Sequence, residues 1–355
     1  MQNYLDKFNT AWLSLGYNCN NKCIWCYASS NLKKNREKVL DSSREEGIVK
    51  LLSDLKVRQL LLIGGEPTLY LGLPNLIRKF SSKKIPTGLV TNGRKLKDRV
   101  FVKDLKHNGL RYLSASIEGY NEKSHGEITL VKKSFSETMR GIENSLSEGI
   151  RTSTNTTISK KNVNDLEKII NLLANYPLIS ITFNICGVCI GNPSNNNYTL
   201  SPREGVKAFE RAYLYFKSKD TKTKLKLISP IPLCNVENNL LKELKEKEGV
   251  KGSCHILGGR NFVFDYNGDI LPCTHFTGFP MFNVFSKNKI MSADKFIEEY
   301  NNPSGLGFKF RKRLSYYPSI KCGNEKCLDN CTGGCPVFWM KYNPEEEIKG
   351  IKDGN

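Results

Sequence analysis

Three cysteines near the N-terminus are spaced closely enough to bind one inorganic cluster. Cys19, Cys23 and Cys26 form a C-x3-C-x2-C sequence, and the next cysteine is Cys186. Thiolates are the usual ligands of iron–sulfur clusters. Three thiolates leave one iron of a [4Fe–4S] cube without a protein ligand, and an open position on a metal supports chemistry there. The alternative is a zinc loop, which requires a fourth cysteine or histidine nearby, whereas the next histidine is His107.

The apolar residues 11–15 before these cysteines are typical of a short buried strand, which places the loop at a strand end. Active sites of α/β proteins lie at such ends. This cysteine spacing after a first strand, with the aromatic Trp25 before the third cysteine, resembles the radical S-adenosylmethionine (SAM) superfamily. The resemblance implies an enzyme with a [4Fe–4S] cluster on Cys19, Cys23 and Cys26 and with SAM bound beside Trp25.

Two motifs at later predicted strand ends fit this resemblance. Gly64-Gly65-Glu66 ends the second predicted strand, where glycines allow the backbone to approach a ligand and the carboxylate can accept from an ammonium group. The motif looks like the superfamily's element for the SAM amino group. Asn92, in Val90-Thr91-Asn92-Gly93, resembles the family's next element, although an Asn-Gly pair also forms tight turns.

Polar residues on the fourth and fifth predicted strands complete the candidate cofactor site. Ser116-Ile117-Glu118-Gly119 resembles the Ser-Ile-Asp-Gly of the peptide-modifying branch, in which the serine contacts SAM. Glu118 replaces the aspartate and is a candidate catalytic residue. In the family this motif is often followed by His-Asp-x-x-Arg, but the sequence that begins at His125 does not match that pattern. The sequence therefore does not identify the residue that binds the SAM carboxylate. Asn155 either faces the cofactor or is an ordinary polar residue at a strand end.

Cys186 and Cys189 end the sixth predicted strand, in Cys186-Gly187-Val188-Cys189. The active-site mouth of a barrel lies at such strand ends. A thiol there can donate a hydrogen atom to a substrate radical, or the pair can act as a C-x-x-C redox couple. The alternative is that both are small buried residues at the end of a strand.

Seven of the twelve cysteines lie between Cys234 and Cys335, in a loop-rich part of the chain. Cys254 precedes a predicted hairpin, residues 262–268 with an Asn-Gly turn, which leads to Cys273. Together with the later Gly-Gly-Cys-Pro sequence at Cys335, this resembles the SPASM/twitch extension of radical SAM enzymes, which houses auxiliary iron–sulfur clusters.

That resemblance implies one or two auxiliary clusters. Carried over by position, one cluster is bound by Cys254, Cys273 and Cys335, with Cys234 as a candidate fourth ligand. A second would be bound by the remaining cysteines, Cys322, Cys327 and Cys331. The spacing C-x4-C-x3-C-x3-C departs from the family's C-x2-C-x5-C-x3-C, and the family's last cysteine has no counterpart. The second cluster then has an open iron or a non-cysteine ligand, or is absent, and zinc at the last four cysteines is the alternative.

The composition is that of a globular protein: 355 residues, 39% hydrophobic and 25% charged. No apolar run approaches the roughly 18 residues of a membrane span, and the N-terminus lacks a signal-peptide pattern, so we expect a cytoplasmic protein without a membrane partner. Cysteines in such a chain indicate metal or redox sites rather than disulfides.

The formal net charge of +19 has three interpretations. The lysines are spread along the chain, which favours a generally lysine-rich composition over nucleic-acid binding. In the third interpretation, a basic face attracts an acidic electron donor such as a flavodoxin or ferredoxin.

Short apolar strands alternate with helical patterns through the first two-thirds of the chain, which predicts an α/β fold with a parallel sheet. The predicted strands are residues 12–17, 59–63, 88–91, 112–117, 152–158 and 179–185. The predicted helices are residues 43–55, 74–80, 98–107, 134–147 and 164–173, with another that begins after Ser201. The resemblance implies that this α/β fold is a partial (β/α)6 radical SAM barrel at residues 1–220. It is followed by a loop-rich SPASM/twitch-like domain at 221–345 and a tail at 346–355. The lysine-rich segment 217–226 is interpreted as the boundary between the two domains.

The resemblance implies that SAM is cleaved to methionine and a 5′-deoxyadenosyl radical, which abstracts hydrogen from an unactivated C–H bond. The SPASM-like extension points to a peptide or protein substrate. We therefore predict a maturase of a ribosomally made peptide that forms a thioether or carbon–carbon crosslink or epimerises a residue. Because Cys19 lies so near the start, the leader of that peptide is expected to bind the barrel, the extension or a separate partner.

Three alternatives stay open. The first is a radical SAM enzyme that acts on a small molecule, of the dehydrogenase or decarboxylase type. The second is a sulfatase-maturing enzyme, a group that carries aspartate where Thr274 stands here. The third is an iron–sulfur redox sensor or carrier, which has no need of Gly64-Gly65-Glu66.

Overall fold

Strands and helices alternate along the chain as the sequence predicts. The computed structural model describes residues 8–29, 34–190, 193–287, 289–315 and 331–348. The first strands are β1 (Thr10–Ser14), β2 (Gln59–Ile63), β3 (Thr87–Thr91), β4 (Leu110–Ser116), β5 (Arg151–Ile158), β6 (Ser180–Ile185) and β7 (Lys224–Leu227). The helices among them are α1 (Glu45–Asp54), α2 (Leu73–Ser82), α3 (Arg99–His107), α4 (Glu122–Thr129), α5 (Ser134–Ser147), α6 (Leu166–Leu173) and α7 (Pro202–Phe216). The predicted α/β class is confirmed, and the six predicted strands are shifted by three residues or fewer at either end.

Strands β1 to β7 pair in parallel and in sequence order. Parallel neighbours need a crossover connection, and the helices between the strands supply it. The carboxyl ends of all seven strands therefore lie at one edge of the sheet, which is where the cysteine loop and the predicted motifs begin.

The segment 217–226, interpreted as a break between two domains, contains the start of β7. Leu225 and Leu227 of this strand are buried, while Lys224, its first residue, is exposed. The alternation of lysine and leucine is a period-two strand signal. The high lysine content of the segment concealed it, because lysine is otherwise depleted in strands.

The C-terminal part of the chain extends the same sheet on its other side. It contains β8 (Asn261–Phe264), β9 (Asp269–Leu271), β10 (Phe282–Asn283) and a separate ribbon of β11 (Phe285–Ser286) and β12 (Lys289–Ile290). Its helices are α8 (Asn238–Glu246), α9 (Ala293–Asn301), α10 (Leu306–Ser315) and α11 (Pro344–Glu347). Strand β8 lies parallel to β1, and β9 returns antiparallel to β8 as the predicted Asn-Gly hairpin. The hairpin thus lies directly beside the strand that carries the cysteine loop.

The two faces of the curved sheet differ in chemistry. Residues such as Leu113, Ala115 and Phe183 pack into the main core under the helices. The opposite, inner face carries a separate apolar cluster on one side, made of Trp12, Ile63, Val90, Val263 and Leu271. On β4 and β5 the inner face carries half-buried polar residues, Ser114, Ser116, Ser153 and Asn155. The interior of the partial barrel is therefore apolar near β1 and polar near β5.

Local signals fix the helix termini. The predicted start of α7 is confirmed: Ser201 and Glu204 form a capping box, and Pro202 occupies the first helical position. Asp98 caps α3 by accepting from the backbone of Val100. Among the helices of the described residues, none is both long enough and apolar enough to span a membrane.

An aromatic cluster attaches the C-terminal helices to the first strand. The ring of Phe8 lies 5.1 Å from that of Phe262 and 5.7 Å from that of Phe296, in edge-to-face contact. The Tyr300 hydroxyl donates to the carbonyl of Asn261 at 2.9 Å. These contacts bury aromatic area from residues nearly 300 positions apart. The N- and C-terminal parts of the sheet therefore share one core.

Replacing Phe296, which is fully buried, by alanine removes the centre of this cluster. We expect Phe296→Ala to lower the free energy of unfolding by about 3–5 kcal/mol, because a buried ring is replaced by a cavity. Phe279→Ala, at a side chain that is 56% exposed, is the matched control and should change it by less than about 0.5 kcal/mol. Chemical denaturation followed by fluorescence measures both, and equal losses would contradict the account of the cluster.

Candidate active site at the carboxyl edge of the sheet

The cysteine loop, residues 16–27, leaves β1 and is held by the end of α4. Lys22 and Ile24 donate backbone hydrogen bonds to carbonyls in the last turn of α4, at 2.9 and 3.0 Å. Within the loop, the amide of Cys26 donates to the carbonyl of Cys23 at 3.2 Å and closes a turn between two of the predicted ligands. Backbone bonds at both ends of this segment fix where its thiols lie.

The surroundings of the three thiols favour their protonated form in the protein alone. Burial raises the pKa of Cys19 to about 11 and that of Cys26 to about 12. The pKa of Cys23 lies well above its usual range because of burial and then the negative charge of Cys26, with Glu118 and Cys19 adding to it. The three sulfur atoms are thus close enough to raise one another's pKa, and a cation that binds them displaces protons.

These three thiols suit the ligand set of a cube. In the described part of the chain, no three histidine, cysteine or carboxylate side chains converge on one metal position. A [4Fe–4S] cube does not require such convergence, since each thiolate binds a different iron. Cys19, Cys23 and Cys26 would hold three irons, and the fourth would remain open to a small-molecule ligand.

The two glycines after β2 admit the cysteine loop. A Cβ atom on Gly65 would lie 2.5 Å from the carbonyl oxygen of Asn18 and 2.6 Å from that of Tyr17. The amides of Gly65 and Glu66 donate to Gly16 and Asn18 at 2.8 and 2.7 Å. The sequence predicted a close approach of this backbone to a ligand. The structure shows a close approach to the backbone just before Cys19, which any side chain at Gly65 would block.

Glu66 braces the ends of β2 and β3. Its Oε1 accepts from the amide and hydroxyl of Thr68, at 3.0 and 2.6 Å, and from the hydroxyl of Thr91 at 2.6 Å. Its Oε2 accepts from the amide of Asn92 at 2.7 Å. A carboxylate offers about four acceptor positions, and these bonds match that number. The contact of this motif with the SAM amino group stays a prediction.

Asn92 and Arg94 extend from the end of β3 to the cysteine loop. The Asn92 side-chain amide donates to Asn20 at 2.6 Å, and the Arg94 guanidinium donates to the Asn20 carbonyl at 2.5 Å and to Asn21 at 3.1 Å. Asn92 was predicted at the cofactor site, and it lies close enough to Cys19 to lower that thiol's pKa. Arg94 was missed. A cation directly after an Asn-Gly turn, opposite a loop of thiols, was the available signal.

Ser116 and Asn155 are neighbours across the β4–β5 pairing. Both are half-buried on the inner face. Asn155 accepts from the side chains of Asn184 and Thr182 on β6, at 2.8 and 3.3 Å. The structure therefore joins Asn155 to a polar network, while its contact with SAM stays a prediction. Trp25 is half-buried, and its indole N–H has no hydrogen-bond partner among the described residues.

Glu118 lies at the end of β4 with 1% of its surface exposed. One carboxyl oxygen accepts from the amide of Thr157 at 2.9 Å, and the other is buried without a partner in the described part of the chain. Burial raises the pKa of Glu118 to about 8. Its charge raises the pKa values of Cys23 and Cys186, so it lies between the cysteine loop and the end of β6.

Cys186 and Cys189 are both buried at the end of β6. The Cys189 thiol donates to the carbonyl of Tyr27 at 3.4 Å, which attaches this segment to the cysteine loop. The Cys186 amide donates to the carbonyl of Ile158 at 2.8 Å. Burial, followed by the charge of Glu118, raises the pKa of Cys186 to about 12. Both predicted thiols thus lie beside the predicted cluster site, at the strand edge where the sequence placed them.

Three C-terminal cysteines are brought together beside the hairpin. Burial and then the charges of Cys335 and Cys254 raise the pKa of Cys273 above its usual range. Burial and Cys254 raise the pKa of Cys335 to about 12. Cys254 and Cys273 also pack in the same small cluster, and Cys335 is close enough to affect the pKa of Cys273. The Gly333-Gly334 turn makes this possible, because both residues have positive φ and a Cβ on Gly334 would lie 2.8 Å from Pro232.

Two more predicted ligands approach the same region. The Cys331 sulfur lies 3.5 Å from the amide of Leu233, the residue before Cys234. Cys331 also forms a bridge with Gly252, two residues before Cys254. The chain segments that carry Cys234 and Cys331 are therefore adjacent. Cys322 and Cys327, predicted for a second cluster, lie outside the described residues.

The hairpin contacts the cysteine loop directly. The Tyr17 hydroxyl donates to the carboxylate of Asp265 at 2.6 Å, and both side chains are buried. The ring of Tyr27 lies 5.4 Å from that of His275, two residues after Cys273. The two groups of cysteines are thus separated by Tyr27 and its neighbours. No local pattern could have revealed these contacts, because the partners of the Tyr17 bond are 248 positions apart.

Part of the chain is similar to known proteins. Residues 13–173 match the family model of the Radical SAM superfamily. The Fe-coproporphyrin III synthase of Methanosarcina barkeri is 35% identical over 46% of this chain, and the match spans 41% of that protein's length. The GTP 3′,8-cyclase of Clostridium botulinum strain Okra is 28% identical over 76% of this chain and 82% of its own.

A solved structure resembles the chain over nearly its whole length. Streptococcus suis SuiB bound to precursor peptide SuiA has a TM-score of 0.68 and 18% identity, and the match covers 98% of this chain and 76% of SuiB. At this identity the likeness shows the shared fold. The family match covers the cysteine loop and the strand ends that brace it. Residues 13–173 therefore form a radical SAM domain, which implies a [4Fe–4S] cluster and S-adenosylmethionine as cofactors.

Proposed function

We propose that this chain is a peptide-modifying radical SAM enzyme with at least one auxiliary iron–sulfur cluster. The observation that carries the proposal is the group formed by the buried Cys254 and Cys273, which pack in one cluster, and the nearby Cys335, on the hairpin side of Tyr27. The whole-chain likeness to SuiB, a structure that includes a precursor peptide, supports it because the likeness covers the C-terminal part as well as the barrel.

When bound, the reduced cluster and SAM supply a 5′-deoxyadenosyl radical that abstracts hydrogen from the substrate. The chain's own residues hold and shield this chemistry. Cys19, Cys23 and Cys26 would bind the cluster, and the backbone of Gly64 and Gly65 with Ser116 and Asn155 would hold SAM. Trp25 and the apolar cluster around Trp12 exclude water from one side of the barrel interior.

We assign separate roles to the two thiols at the end of β6. Cys186 continues the inward row of Thr182 and Asn184 and lies near Glu118, so it is the proposed hydrogen-atom donor. Cys189 is the proposed brace, because its thiol donates to the backbone beside Cys26. Glu118 is the proposed neutral acid of the site, since burial favours its protonated form.

The second candidate function is chemistry on a small molecule. The 28% identity to a GTP 3′,8-cyclase over three-quarters of this chain favours it. The sulfatase-maturing alternative has less support, because Thr274 stands where that group carries its aspartate and lies within hydrogen-bonding reach of Tyr27. A flavodoxin or ferredoxin remains the proposed electron donor, and the cytoplasmic location stays a prediction from the sequence.

Substrate-stimulated cleavage of SAM tests the proposal. The anaerobically reconstituted, dithionite-reduced protein should form 5′-deoxyadenosine. The peptides encoded by short reading frames beside its gene should increase that rate, and one should lose two hydrogen masses or take up solvent deuterium. Simultaneous replacement of Cys19, Cys23 and Cys26 by alanine should abolish cleavage. Stimulation by GTP and not by any peptide would replace the proposal with the second candidate.

Single replacements separate the roles of the two β6 thiols. Cys186→Ala should still form 5′-deoxyadenosine but block or divert the product, because hydrogen abstraction precedes donation. Cys189→Ala should keep the product and lose about 1 kcal/mol of unfolding free energy, the usual value of one hydrogen bond. Mass spectrometry of the product, with deuterium traced from solvent, measures the difference. An unaltered product from Cys186→Ala would show that this thiol does not donate hydrogen and only packs at the end of the strand.

The proposed acid predicts a pH-dependent stability. Folding raises the pKa of Glu118 from 4.5 to about 8, so the folded state binds a proton in this range that the unfolded state does not. Its contribution to unfolding free energy is full below pH 4.5 and falls as pH rises towards 8, by up to about 1.4 kcal/mol per pH unit. Glu118→Gln should remove that part of the slope in denaturation of the iron-free protein, whereas Glu127→Gln, at an exposed position, should not. The same slope in both variants would contradict the assignment.

A further inference from the structure

Arg94 connects three elements around the first cluster site. Its side chain is 15% exposed and lies between the cysteine loop and α5. One guanidinium nitrogen donates to the carbonyl of Asn20 at 2.5 Å and to the side chain of Asn21 at 3.1 Å. Another donates to Glu137 of α5 at 2.6 Å. The planar guanidinium therefore spans the segment between the first two predicted ligands and a helix that packs behind it.

Arg94 also brings a positive charge to the first predicted ligand. That charge lies next to Cys19, because the guanidinium donates to the carbonyl of the following residue, Asn20, at 2.5 Å. Glu137 neutralises part of it, and the pKa of Glu137 is lowered because hydrogen bonds from Lys97 and Arg94 outweigh the cost of its burial. A fixed cation beside one ligand of a cluster, with its own counter-ion on the far side, is an arrangement that sets local potential.

We propose that Arg94 is a positioning residue that fixes the loop segment between Cys19 and Cys23 and that raises the reduction potential of the cluster bound there. The proposal rests on the cluster assigned above. Reduction adds one negative charge to the cluster, and a nearby cation stabilises the reduced form more than the oxidised form. The fork geometry of the guanidinium positions the loop, while its charge shifts the potential, so the two roles can be separated by substitution.

Three variants and one control separate these roles. Arg94→Gln removes both the positive charge and the planar guanidinium with its several hydrogen bonds. Arg94→Lys keeps the charge but not this guanidinium fork. Glu137→Gln keeps the fork and leaves the Arg94 charge less neutralised. Arg99→Gln removes an equal charge from an exposed arginine that pairs with Glu148, and is the matched control.

The cluster's reduction potential, measured by EPR-monitored titration without SAM, is the main measurement. At a fixed solution potential, Arg94→Gln should lower the ratio of reduced to oxidised cluster about tenfold, which is about 59 mV for one electron. Glu137→Gln should shift the potential in the opposite direction, and Arg94→Lys should stay near the wild-type value. A potential in Arg94→Gln equal to that of Arg99→Gln overturns the charge role.

Amide hydrogen exchange in iron-free protein tests the positioning role without the cluster. Residues 19–24 should exchange faster in both Arg94 variants and remain protected in Arg99→Gln, because the guanidinium of Arg94 holds the Asn20 carbonyl and the Asn21 side chain, whereas Arg99 contacts neither of them. Unchanged exchange in Arg94→Lys overturns that role. If Arg94→Gln fails to retain iron, the upward shift in Glu137→Gln still decides the charge role, and its absence overturns it. A wild-type protein that binds no cluster would instead contradict the function proposed above.

Discussion

The buried carboxylate of Glu66 ties together the strand ends on which the site depends. It accepts hydrogen bonds from Thr68 after β2 and from Thr91 and Asn92 at the end of β3. The backbone of the same motif bonds to the residues just before Cys19. A buried carboxylate left without these donors would carry a large desolvation cost, so its four bonds must form together. The position of the cysteine loop therefore depends on the hydrogen bonds that Glu66 and its backbone make.

Burial raises the pKa values of Glu66 and of the thiols near it. Hydrogen bonds from Thr68, Thr91 and Asn92 oppose this effect at Glu66, whereas the thiols have fewer donors, and a metal that binds them must displace their protons. The C-terminal thiols show the same condition. Two groups of cysteines thus lie on either side of Tyr27 and His275, whose rings are 5.4 Å apart. They are consistent with two metal clusters in one protein.

Much of this arrangement could be predicted from the sequence. Period-two and helical patterns located the strands of the barrel, and the motifs at their ends located the cysteine loop, Gly64-Gly65-Glu66 and Cys186. What the sequence could not supply were contacts between distant segments. The pairing of β8 with β1 and the bond from Tyr17 to Asp265 join residues about 250 positions apart, and local periodicity carries no information on such pairs. The role of Glu66 as a brace was also hidden, because a carboxylate in a loop looks the same whether it faces a ligand or the backbone.

The presence of an auxiliary iron–sulfur cluster is tested most directly by the iron content of a protein that lacks the ligands of the first cluster. With Cys19, Cys23 and Cys26 replaced by alanine, anaerobically reconstituted protein should still bind iron and sulfide and show the Mössbauer signature of an iron–sulfur cluster. Further replacement of Cys254, Cys273 and Cys335 should remove it. A triple variant that is colourless and holds stoichiometric zinc would contradict the auxiliary cluster, and with it the strongest structural support for a peptide substrate.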